Sequence, residues 1–121
     1  MIESSVLFFP CVGIDEMEEF YHHRLGLSVF QKKGKSIIFD TGYGYLGFVE
    51  YEDGRPLATG MCISFNCENR EAVDRVYRAL AEPDGGDGMT IPRRHPQFLV
   101  YSFFLKDPNG YTVEFQKMEN E

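Results

Sequence analysis

KDPNGYTVEFQ, residues 106–116, reads as a tight turn running straight into a strand. Asp107-Pro108-Asn109-Gly110 is the turn, because an Asn-Gly pair suits a backbone that reverses through positive φ. Tyr111–Gln116 is the strand, and strand side chains alternate between faces. Thr112, Glu114 and Gln116 therefore share one face, and Val113 and Phe115 the other. The apolar face is expected beneath a helix, which leaves the polar face free to hold a ligand.

Working outward, Leu99–Leu105 and Met89–Pro92 have strand composition. Before them, Asn69 can cap a helix over Arg70–Ala81, whose apolar stripe is Ala72, Val73, Val76, Tyr77 and Leu80. Pro83-Asp84-Gly85-Gly86 ends it. Met61–Cys67 precedes that helix as a strand. The first half of the chain repeats the plan. Ser5–Val12 is a strand, and a helix follows, opened by Asp15 with Glu18 as a capping-box-like start and stopped at Gly26. Ser28–Gln31, Ser36–Thr41 and Tyr45–Glu52 are then strands, with a hairpin turn at Lys33-Gly34-Lys35.

The order is β-α-β-β-β twice, an internal repeat. A shift of 56 positions brings Phe9 onto Phe65, Cys11 onto Cys67, Met17 onto Val73, Phe20 onto Val76 and Tyr21 onto Tyr77. The reading is one α+β domain over residues 1–121, with module one at about 4–53, a linker at about 54–60 and module two at about 61–117. Alternation sends Phe8, Ser64 and Asn66 to the ligand face and Phe9 and Phe65 to the helix side. Truncating either of the latter two is expected to cost about 3–5 kcal/mol, as for a core aromatic.

Bulk properties exclude several classes. A net charge of −7 without a Lys/Arg stripe argues against nucleic acid, and favours neutral or cationic ligands. The N-terminal apolar run is too short for a signal peptide or a membrane span. Cys11, Cys62 and Cys67 are odd in number and form no Cys-x-x-Cys, as in a reduced, cytoplasmic protein. No Ser-His-Asp arrangement, phosphate-cradling Gly loop or nucleotide fingerprint is present.

Two segments carry a family resemblance. EEFYHHRLGL, residues 18–27, and KDPNGYTVEFQ, with the duplicated order between them, resemble the vicinal oxygen chelate superfamily of glyoxalases, bleomycin-resistance proteins and extradiol dioxygenases. The resemblance implies a curved, open-barrel-like mixed sheet with helices outside and a ligand on the concave face. It also implies a divalent metal held by His and Glu at four strand positions. Those positions fall on Val6 or Ser5, on Gly47 or Phe48 with Glu50 nearby, on Cys62, and on Glu114. Only Glu114 keeps a family ligand type. One carboxylate and a thiol make a poor hard-cation site, so no cofactor is expected.

The expected function is a metal-independent small-molecule binder, with Phe8, Cys62, Ser64, Asn66, Thr112 and Glu114 lining the site. The alternative is a metal-dependent lyase or dioxygenase using Glu114 with Cys62, Glu50 or His95. A third reading makes Glu114 a catalytic general base, which requires a pKa raised by burial. His22 and His23, adjacent on the outer helix, read as surface residues. Arg93-Arg94-His95 reads as a solvated loop that could hold a carboxylate or phosphate. Open sheet edges and the family habit of pairing point to a homodimer.

Overall fold

In the computed structural model, which describes residues 1–82 and 88–120, the chain divides into two compact units, Met1–Thr59 and Gly60–Glu121. The first holds β1 (Val6–Pro10), α1 (Ile14–Glu18), β2 (Ser28–Lys33), β3 (Ser36–Asp40) and β4 (Tyr45–Val49). The second holds β5 (Cys62–Asn66), α2 (Arg70–Ala81), β6 (Arg93–Arg94), β7 (Val100–Lys106) and β8 (Thr112–Met118). The 56-residue shift carries β1 onto β5 and the first residue of α1 onto the first residue of α2.

Each unit is one four-stranded mixed sheet, ordered β1-β4-β3-β2 and β5-β8-β7-β6, so the fold is α+β. The first and last strands of each unit run parallel, and the other pairings are antiparallel. A helix supplies the crossover that a parallel pair needs, and it covers one sheet face. In unit one that face carries Phe48, stacked on Tyr21 at 5.0 Å, and Phe9 against Phe48 at 6.3 Å. In unit two Phe65, Phe115 and Phe103 form a line of rings that meets Tyr77 of α2 edge-on. Both apolar faces lie where strand alternation puts them. No described helix is long and apolar enough to cross a membrane.

Several local expectations need correction. The first helix has no side-chain cap from Asp15; its cap position is Gly13, at φ 80. Asp15 and Glu18 instead both bind Lys32, at 2.9 and 2.7 Å, and raise its pKa to about 12. Capping comes from a residue distant in sequence: Glu50 Oε1 accepts from Gly13 N at 2.7 Å and Ile14 N at 3.2 Å. After Glu18 the helix widens into a π-helical segment, Glu19–Arg24, with Leu25 N donating to Phe20 O. That turn buries the consecutive Phe20 and Tyr21, whose rings meet edge-on at 4.9 Å. Gly26 does end the helix, at φ 87.

In unit two Asn69 caps as expected, accepting from Ala72 N at 2.8 Å. The helix stop at Pro83–Gly86 lies outside the described residues. The strand expected at Met89–Pro92 forms instead at Arg93–Arg94. Pro92 has no N–H to give a ladder, and Thr90 meets the β7 edge half through its side chain: its N donates to Phe104 O at 2.9 Å and its Oγ1 accepts from Phe104 N at 2.9 Å.

Candidate functional site

The face of unit two turned away from α2 is polar. Register places three rows across it: Cys62, Thr112 and Lys106; Ser64, Glu114 and Phe104; and Asn66, Gln116, Ser102 and Arg93. The middle row holds the candidate anchor. Glu114 is 8% exposed, and its Oε1 accepts from Ser64 Oγ at 2.5 Å and from Cys62 Sγ at 3.9 Å. No donor among the described residues reaches Oε2. A carboxylate tied down by one oxygen is fixed in direction and keeps the other available to a ligand.

The flanking rows are braced. Lys106 Nζ donates to Thr112 Oγ1 at 2.6 Å, and Gln116 Nε2 donates to Asn66 Oδ1 at 2.9 Å. Burial pushes the Cys62 thiol pKa up, and the negative charge of Glu114 adds to that, while a hydrogen bond with Ser64 pulls the other way. A thiol held protonated is a slow nucleophile. Iodoacetamide at neutral pH is expected to alkylate Cys62 more slowly than a free thiol, and Glu114→Gln to speed it a few-fold. Peptide mass analysis follows the site; an unchanged rate in the variant would mean that the carboxylate does not act on the sulfur.

Beside Phe104 the same face opens into a hollow of about 100 Å³ lined by Thr90, Arg93, His95, Pro96, Ser102 and Phe104. Phe104, Ser102 and Thr90 were not among the residues expected at the site. The turn at Asp107–Gly110 held the signal: reflecting β8 across it pairs Phe104 with Glu114 and Ser102 with Gln116.

On the corresponding face of unit one the middle row is apolar where Phe8, Gly47 and Ile38 meet. The shift that brings β1 onto β5 makes Phe8 the counterpart of Ser64, and the paired strands make Gly47 the counterpart of Glu114. Phe8 lies over Gly47 so closely that a Cβ there would come within 2.5 Å of its ring. Of the residues expected at the site, then, Cys62, Ser64 and Glu114 touch, Thr112 and Asn66 flank them, and Phe8 stands in the other unit.

The residues present do not fit the metal that the family resemblance implies. Glu50 is engaged as a helix cap, and Gly47 under Phe8 offers no ligand. His95 lies at the hollow, where Nδ1 accepts from two backbone amides. Among the described residues no three His, Cys, Asp or Glu side chains gather closely enough to hold an ion.

Comparison with known proteins agrees with the architecture. The family model described as Glyoxalase/Bleomycin resistance protein/Dioxygenase superfamily matches residues 7–115. No curated protein matches the sequence. Among solved structures, lactoylglutathione lyase from Agrobacterium tumefaciens superposes with a TM-score of 0.75 at 20% identity, covering 95% of this chain and 92% of that one. A glyoxalase/bleomycin resistance protein/dioxygenase from Alicyclobacillus acidocaldarius gives 0.74 at 18% identity, over 98% and 92% of the two chains. A family enzyme from Burkholderia phytofirmans PsJN gives 0.76 at 18% identity, over 93% and 96%. At these identities the likeness is one of fold.

Proposed function

The chain belongs to the glyoxalase/bleomycin resistance/dioxygenase superfamily, and from that premise we propose that it binds a small polar organic molecule on the open face of its second unit, without a metal. The observation that carries this reading is the fixed Glu114 carboxylate, one oxygen held by Ser64 and Cys62 and the other turned to no protein donor among the described residues. Oε2 suits a ligand hydroxyl or ammonium group, and a hydrogen bond to a charged partner is stronger than one between neutral groups. Hydroxyl and amide side chains around it supply further polar contacts, and Phe104 supplies an apolar surface.

Benzylamine and benzyl alcohol serve as probes, followed by backbone amide shifts in the unlabelled-ligand titration of ¹⁵N protein. Shifts are expected at Ser64, Thr112 and Glu114, with benzylamine about tenfold weaker in Glu114→Gln, the loss of one charge-assisted bond. In parallel, Mn, Ni and Zn salts should leave the melting temperature of the protein nearly unchanged, since a tight native-state ligand would raise it. Equal binding by Glu114→Gln would remove Glu114 from the site. One equivalent of bound metal, lost in Glu114→Ala, would replace this reading with the metal-dependent lyase or dioxygenase.

A further inference from the structure

The hollow beside Phe104 is lined by hydrogen-bond donors. Thr90 Oγ1 already accepts from Phe104 N, so its hydroxyl proton is free to turn elsewhere. His95 Nδ1 accepts from Gln97 N at 3.0 Å and Phe98 N at 3.2 Å. Two amides aimed at Nδ1 require a lone pair there, which assigns the ring proton to Nε2 and makes that nitrogen a donor. Ser102 is 3% exposed, lines the hollow, and has no hydrogen-bond partner for its hydroxyl among the described residues. Among the described residues no carboxylate lines the space.

Arg93 completes the set. The neighbouring Arg94 lies 3.6 Å from Glu119, whereas Arg93 has no ion pair among the described residues and lines the hollow. In a chain of net charge −7 a guanidinium with no ion pair among the described residues, set beside three neutral donors, is a local inversion of the overall field. A hollow of about 100 Å³ has room for a small charged head group.

We propose that this hollow is a subsite for an anionic oxygen group, a carboxylate or a phosphoryl group, held by Arg93, Ser102, Thr90 and His95. The inference rests on the binding reading above only in making the anion one end of the same small molecule, since the hollow shares its sheet face with Glu114. A guanidinium supplies paired donors to such a group, and the buried hydroxyl contributes one more. Phe104, two residues beyond Ser102 on the same face of β7, would lie against the carbon frame that joins the anion to the rest of the ligand.

The test uses inorganic phosphate and sodium benzoate as separate probes, with the ¹⁵N resonance of His95 Nε2 as the reporter. At least one probe is expected to shift that resonance in a saturable way. Arg93→Gln should weaken the effect about tenfold or more, and Ser102→Ala several-fold, while Arg94→Gln leaves it intact. Saturation by phosphate alone assigns a phosphoryl group, by benzoate alone a carboxylate, and by both an unselective anion site. Absence of saturation with either probe, or an equal loss in Arg94→Gln, would overturn the proposal. The two readings fail separately: the anion response is judged by Arg93→Gln against Arg94→Gln, and the benzylamine result above by Glu114→Gln.

Discussion

Replacing Phe103 by alanine is expected to destabilise the protein by about 3–5 kcal/mol, the range for removing a fully buried aromatic side chain. Phe103 is 0% exposed, stacks on Phe115 at 5.6 Å and meets Tyr77 of α2 edge-on at 5.4 Å. Its loss opens a cavity between sheet and helix, and neither flanking ring can close it without leaving its own contacts. Phe65 and Phe9, expected from sequence to carry the same penalty, are each only partly buried and should cost less. Urea unfolding measures the difference, provided the slope is unchanged. A loss below about 1 kcal/mol for Phe103→Ala would mean that the line of rings does not hold α2 to the sheet.

Asp107→Ala should cost about 2–4 kcal/mol and also impair the site. The Asp107 carboxylate is buried, and its Oδ1 accepts from Asn109 N at 2.8 Å and Tyr111 N at 3.0 Å. Removing it strips two charge-assisted bonds and leaves a buried amide unsatisfied. The turn so fixed sets the β7–β8 register, and a slip of one residue would swing Glu114 to the helix face. Asp107→Asn is the control: it keeps an oxygen at the same place and should recover much of the loss. If alanine and asparagine behave alike in urea unfolding and in benzylamine titration, the carboxylate does not hold the register.

Much of the architecture was legible because it is written locally. Asn69 lies three residues from the amide it caps, and alternating side chains in Tyr111–Gln116 declare their faces without help from the rest of the chain. What escaped was non-local. Asp15 and Glu18 have the spacing of a capping box, but Lys32 offers both carboxylates a cation, and Glu50 reaches the helix start from the end of β4. The donors of the hollow were hidden for a similar reason. Arg93 and His95 read as loop residues until β6 pairs with β7 and sets them beside Ser102.

The way Phe8 lies over Gly47 ties the choice of residue at one position to that at the other. A side chain at position 47 would meet the ring, which must turn aside to admit it, and the ring is exposed enough to do so. A carboxylate at position 47 is therefore expected to be tolerated better beside a small residue at position 8 than beside Phe8. Such dependence is epistasis: what a substitution at one site does is set by the residue at the other.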